Sequence, residues 1–401
     1  MLRFQTRLLP TQLTAKTPLA QQTRLHTLCR LAGSADTIPH AKRPLPRSLK
    51  TAVHLACRYK QTSSVDQTPS AKDAANEHTG IRLTTSPATA QRDTPATRWR
   101  IQSQTPFVRL GKVYGDLSKD KLTGFVVLTA MAGYAVAPGA AQVGTLLWTA
   151  LGTTLCSASA NSFNQWIEVP YDAQMSRTRN RPLARHALAP LHALAFGVGS
   201  GIIGVGSLWV FVNPITASLG LANIVLYAGV YTAMKRTSIA NTWVGSLVGA
   251  IPPLMGWAAA TGSLDAAAWV MGGIMFAWQF PHFNSLAYTL RADYSKAGYR
   301  MMSVTRPRLN ARVALRYSLL MFPLSAMLTY LGVTDTWFLA DSSIANGFMA
   351  YCAYAFWKQP DGKRSRRLFF SSLVHLPVLL TLIMVHKFIQ DRKRSLKQKD
   401  A

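Results

Sequence analysis

Residues 122–167 run for 46 positions without a Lys, Arg, Asp or Glu, and residues 186–234 do the same over 49. A helix needs about 20 predominantly apolar residues to cross a bilayer, so each stretch holds two crossings. Five further uncharged stretches, 237–264, 266–290, 317–334, 342–357 and 368–386, hold one each. The expectation is nine spans, with turn signals at 139–144 and at Asn213-Pro214 dividing the double stretches. The eighth is the shortest and reaches full length only by taking in 337–340 across Asp341.

Composition narrows the class further. Charged residues make up 15% of the 401, against about 25% in a soluble domain, and 49% are apolar. That apolar content excludes an intrinsically disordered protein. Cys29, Cys57, Cys156 and Cys352 are scattered without a CxxC pair, which excludes a disulfide scaffold. The fold class expected is all-α and polytopic, a bundle of membrane helices occupying 109–388, followed by a basic tail at 389–401.

The 44 Lys and Arg outnumber the 16 Asp and Glu, and they are unevenly placed. Residues 1–60 carry eleven Lys and Arg against one acid, Asp36, with frequent Ser, Thr and Gln. This is the composition of a mitochondrial transit peptide, and no uninterrupted apolar core marks a secretory signal. Without interleaved aromatics the segment does not read as a nucleic-acid-binding arm. Residues 61–108 are polar and read as a linker without a fold of its own.

Loops after spans one, three, five and seven contain no Lys or Arg, whereas those after spans two, four, six and eight are basic. The positive-inside rule sends all the basic loops to one compartment, the matrix if the leader is mitochondrial. One feature conflicts. After nine spans the basic tail 387–399 lies on the opposite side.

The densest polar segment is 161–183. Asn164, Glu168 and Asp172 stand at i, i+4 and i+8. At about 100° per residue they drift by only about 40° per step, so one helix face presents all three. Two carboxylates and an amide at the end of a span form a hard-oxygen set suited to Mg²⁺, which completes its shell with phosphate and water. Arg177, Arg179, Arg181 and Arg185 follow, so metal and cations can grip one polyanion. A capped helix end with a solvated basic loop accounts for Arg179 and Arg185, but not for stacked acids at a membrane boundary. Lys235 and Arg236 close span four, where helix dipole or snorkelling explains them as well as function does. His282 near the end of span six reads first as an interface histidine. Asp293 is a partner for Arg291 or Lys296, or else a ligand for a second metal.

The pattern N-x₃-E-x₃-D-x₂-M-x-R-T-x₂-R-P-L over 164–183 resembles the first acidic motif of the UbiA-type intramembrane prenyltransferases. Its middle Glu and the following Arg-Thr…Arg-Pro-Leu resemble the mitochondrial protohaem IX farnesyltransferase, or haem O synthase, branch. So do Leu117-Ser-Lys119, Tyr231-Thr…Lys235-Arg236…Asn241, Pro252-Pro253-Leu-Met-Gly256-Trp257 and Trp278-Gln-Phe-Pro-His282-Phe…Asp293-Tyr. The resemblance covers about residues 110–390. It departs from the wider superfamily in the second acidic region, where only Asp293 is kept and His282 and Asn284 stand in place of further acids.

The resemblance implies nine helices around a central cavity in the mitochondrial inner membrane. Mg²⁺, farnesyl diphosphate and haem b are the implied reactants, haem O the product and a downstream haem A synthase its recipient. Asn164, Glu168, Asp172 and Asp293 are then the catalytic metal-holding set. Lys119, Arg177, Lys235 and Arg236 face the diphosphate, with His282 and Arg181 toward the haem. A quinone-type prenyltransferase on the same fold and, from another class, a haem or metabolite transporter remain open. Oligomeric state is open too.

Overall fold

The computed structural model describes residues 107–399; the expected leader and linker lie outside the described residues, apart from the linker's last two positions. A short α1 (Phe107–Ser118) leads into α2 (Asp120–Val136), α3 (Val143–Asp172), α4 (Pro190–Phe211), α5 (Pro214–Thr237) and α6 (Asn241–Thr261). Then come α7 (Ala266–Thr289), the short α8 (Arg291–Lys296) and α9 (Met302–Thr305), α10 (Pro307–Tyr330), α11 (Phe338–Lys358) and α12 (Gly362–Lys399). Setting aside α1, α8 and α9, nine long helices stand among the described residues, one for each of the nine spans expected from the seven uncharged stretches. No strand occurs among those residues.

Local chemistry sets the boundaries. Asn213 caps α5 by accepting from the Thr216 N–H at 2.8 Å, and Pro214 occupies the first turn, where its missing N–H costs nothing. Pro190 and Pro307 open α4 and α10 in the same way. The N-terminal placement of Pro307 turns part of the expected basic loop into helix, so Arg308, Arg312 and Arg316 ride on the first turns of α10. The eighth helix begins at Phe338, as the borrowing across Asp341 requires. Within α5 a π-helical segment, Leu226–Tyr231, interrupts the α-helix. Such bulges gather at functional sites.

The bundle is inverted relative to a water-soluble protein. Phe125, Leu128, Ile202, Ile203 and Phe348 are exposed on the outside, whereas Ser159, Asn161, Ser162, Asn164 and Gln165 are buried. Five helices, α4, α5, α6, α10 and α12, are long and apolar enough by themselves to cross a membrane. Of the others, α2 has 17 residues, and α3, α7 and α11 turn polar side chains inward. Small residues bring backbones together. A Cβ on Gly256 would stand 1.7 Å from the Ala130 carbonyl oxygen, and one on Gly133 2.2 Å from that of Pro253, so α2 and α6 cross in direct contact. A second core joins α6, α7, α10, α11 and α12 through Trp257, Ile274, Met321, Phe338, Phe356 and Leu379.

Candidate active site

The site begins with α3. Asn164, Glu168 and Asp172 are 0%, 4% and 1% exposed, so the four-residue spacing does aim all three into the bundle. Pro170 lies between the acids without ending the helix. Two further amides on α3 act on the turn between α1 and α2. Asn161 donates to the Ser118 carbonyl at 3.0 Å, and Gln165 to the Asp116 and Leu117 carbonyls at 3.0 and 2.8 Å. They hold the backbone where Lys119 takes a left-handed conformation, φ 52°, and turns inward. Its Nζ donates to Asn164 Oδ1 at 2.8 Å and to Tyr227 Oη at 3.0 Å. Burial, reinforced by Arg181 and Lys235, holds the Lys119 pKa well below the ordinary lysine value.

The other cations arrive from α5 and from the loop after α3. Lys235 Nζ bonds Glu168 Oε1 at 2.6 Å and lies 4.6 Å from the centre of the Tyr231 ring. Arg181 Nη1 reaches Asp172 Oδ2 at 2.6 Å and Glu168 Oε2 at 3.6 Å. Burial works against the Arg181 charge, but Asp172 and Glu168 override it and raise its pKa. Asn164 Nδ2 donates to Thr232 at 3.1 Å, tying α3 to α5. Tyr299 is buried beside Glu168 and Asp172 without a well-formed hydrogen bond, and burial drives its pKa up.

The remaining expected residues divide. Arg236 is exposed and bonds the hydroxyl of Tyr171, lying over its ring. Arg177 is exposed and makes no ion pair among the described residues. Asp293 bonds Ser176 at the rim. Among the described residues no three His, Cys, Asp or Glu side chains form a group able to hold a metal, so Asp293 does not complete a set with the α3 acids. His282 stands elsewhere: Nδ1 meets Ser372 Oγ at 3.0 Å, and the ring stacks on Trp278. It packs α7 against α12. Arg181, expected toward the haem, is bound by the two acids.

The gathered donors still fit Mg²⁺. They are one amide and two carboxylates on one face, and Asp172 Oδ1 is buried with no hydrogen-bond partner among the described residues. An open lone pair among hard oxygens is what that ion uses, since it takes one or two protein carboxylates and fills its shell with water and phosphate. Tyr227 and Tyr231 carry no assigned role in the sequence analysis, although Tyr231 stands in one of its motifs. They precede Lys235 in the same four-residue steps that mark Asn164, Glu168 and Asp172, and that repeat was the available signal. Asn161 and Gln165 were missed because their partners are backbone carbonyls.

Residues 126–396 match the model of the UbiA prenyltransferase family. The chain belongs to that family. It is 50% identical over 289 residues to a relative from Yarrowia lipolytica, covering 68% of this chain and 61% of the relative. It is also 50% identical over 290 residues to one from Homo sapiens, covering 72% and 65%. Both are named mitochondrial protoheme IX farnesyltransferase. The chain thus spans somewhat less than two thirds of their length. Among solved structures, digeranylgeranylglyceryl phosphate synthase superposes with a TM-score of 0.59 at 16% identity, covering 69% of this chain and 98% of that one. A UbiA homolog from Archaeoglobus fulgidus bound to DMAPP and Mg²⁺ gives 0.53 at 13%, covering 68% and 99%. These likenesses establish the fold of this UbiA-family member.

Proposed function

We propose that this chain transfers the farnesyl group of farnesyl diphosphate to a vinyl group of haem b, with addition of water, to give haem O. The observation that carries the reading is the buried line Asn164–Glu168–Asp172 matched by Lys119, Lys235 and Arg181. The substrates are supported by the relatives named protoheme IX farnesyltransferase. The same names, with the clean alternation of basic and uncharged loops, support a mitochondrial inner-membrane protein with these residues toward the matrix. Residues 1–60 serve as its transit peptide.

Asn164, Glu168 and Asp172 would hold Mg²⁺, which supplies charge neutralisation for a diphosphate leaving group. Lys119, Lys235 and Arg181 already converge there, Lys119 bound to Asn164 and the other two to the acids. They are placed to turn toward the diphosphate oxygens and stabilise the negative charge that grows as the C1–O bond breaks. Arg177 and Arg236 stand at the rim as entry cations. The allylic cation forms where the bundle excludes bulk water, which prevents early quenching. The terminal vinyl carbon gives its electron pair to the farnesyl C1. Water then captures the resulting benzylic-type cation, loses a proton and leaves a hydroxyl.

The test uses full-length protein in detergent with haem b, farnesyl diphosphate and Mg²⁺, read by mass spectrometry. The expected product is haem carrying a hydroxyfarnesyl group, absent with chelator and absent with Glu168→Gln. Prenylation of an added aromatic acid instead would replace the haem reading with a quinone-type one. Haem bound without any product would overturn the transferase reading in favour of transport.

A further inference from the structure

The basic tail that conflicts with the positive-inside pattern has a definite place in the fold. Helix α12 has 38 residues, about 57 Å of helix, against a hydrocarbon thickness of about 30 Å. Its last turns therefore stand beyond the apolar core, and two contacts fix their level. Arg394 Nη2 donates to the Gly332 carbonyl at 2.7 Å, and Lys393 Nζ to Asp335 Oδ2 at 3.0 Å. Both partners lie in the α10–α11 loop, on the face opposite the candidate active site. That loop is flanked by Tyr330 and Trp337, which are 85% and 70% exposed. Tyr and Trp with their rings outward mark the headgroup level of a membrane protein. The end of α12 is thus held at headgroup depth.

At this depth the charge is one-sided. Positions 387–398 contain Lys387, Arg392, Lys393, Arg394 and Lys397 against Asp391 alone. Lys387 pairs with Asp391 at 2.7 Å and Lys393 with Asp335. Arg392 and Lys397 are exposed and have no partner among the described residues. Phe388 and Leu396 are 69% and 54% exposed beside them, giving the same short segment apolar side chains for the acyl boundary. Free cations, exposed apolar groups and an aromatic belt at one level match the surface of an anionic bilayer better than they match water.

We propose that the end of α12, with the Tyr330–Trp337 loop, is a binding site for anionic phospholipid headgroups on the face opposite the candidate active site. Arg392 and Lys397 supply the free cations, and Arg394, locked to Gly332, frames the site. It explains why a basic segment is tolerated on this side. Its positive charge is matched by lipid phosphate there.

The test takes full-length protein in a neutral detergent and titrates it with phosphatidylglycerol, phosphatidylcholine or inorganic phosphate, counting retained lipid by native mass spectrometry. Phosphatidylglycerol should be retained over phosphatidylcholine. Each cation removed should weaken that retention about fivefold, so Arg392→Gln/Lys397→Gln should cost about 25-fold. Neither residue has a partner among the described residues, so folding should persist, which an unchanged melting temperature checks. Lys363→Gln/Arg366→Gln, an equal loss of charge at the other end of α12, should leave retention unchanged. Equal retention of both lipids, or equal losses in the two double variants, would overturn the site. Displacement of the lipid by equimolar inorganic phosphate would overturn the headgroup assignment in favour of a free-anion site.

Discussion

Lys235 Nζ and Glu168 Oε1 meet at 2.6 Å with both side chains almost fully buried, so α5 and α3 are joined by an ion pair inside the bundle. Breaking one side of such a pair strands a charge and costs about 3–5 kcal/mol. Lys235→Met should therefore lower the melting temperature sharply. Glu168→Gln/Lys235→Met should recover much of that loss. Turnover should fall about 100- to 1,000-fold in Glu168→Gln, the cost of losing one preorganised electrostatic contact, and should not return in the double variant. Recovery of both stability and turnover would make the pair structural only.

Lys119 separates stability from function in a second way. Its left-handed backbone costs about 1–3 kcal/mol for a residue bearing a Cβ, and its ammonium is held in a site that disfavours charge. Lys119→Gly removes both penalties. The bonds it loses are partly replaced, because Tyr227 Oη already lies 3.4 Å from Asn164 Oδ1. The variant should melt at or above the temperature of the parent while losing farnesyl transfer. A large drop in melting temperature would show that Lys119 holds the fold and is not poised for substrate.

The number and order of the membrane helices are legible because charge avoidance is a one-dimensional signal, although α10 and α12 run past their uncharged stretches into basic residues. The inward line of Asn164, Glu168 and Asp172 was legible for a similar reason, since four-residue spacing on one helix fixes a face. What the sequence could not display was pairing between distant helices. Arg181 was read toward the haem, yet it folds back nine residues onto Asp172 through the turn-rich loop after α3. His282 lies near the motif in sequence, but its ring faces Ser372 on α12. Asp293, expected as a metal ligand or as a partner for Arg291 or Lys296, bonds Ser176 from the loop after α3. Each depends on loop geometry or on the choice of neighbouring helix, and neither has a periodic signature.

The contact between α2 and α6 predicts opposite outcomes for two glycines. Gly256→Ala would press a Cβ to within 1.7 Å of the Ala130 carbonyl and 2.7 Å of the Tyr134 nitrogen. Both are backbone atoms that cannot swing aside. Overpacking of this kind costs about 1–3 kcal/mol or more, and the expected result is loss of folded protein from detergent extracts. Gly206→Ala on α4 meets nothing within 4 Å and should gain about 1 kcal/mol of helix propensity. Similar melting temperatures for the two variants would show that the helices do not cross in backbone contact.

The face opposite the site has its own pH dependence. Burial tends to raise the Asp335 pKa, but its bonds to Lys393 and His386 override this and hold the carboxyl below its usual value. A depressed carboxyl pKa stabilises the fold fully above the unfolded value of about 3.9. That contribution is lost as pH falls through the lower folded value. Asp335→Asn removes it at every pH. The variant should melt below the parent at neutral pH, and the gap should close on acidification as the parent's Asp335 protonates. Asp335 closes the α10–α11 loop against α12 through His386 Nδ1 at 2.5 Å and Lys393 Nζ at 3.0 Å, so limited proteolysis at that loop should also quicken in acid for the parent more than for the variant. A gap in melting temperature that stays constant from neutral to acid pH would show that the Asp335 charge contributes nothing to holding α12 in place.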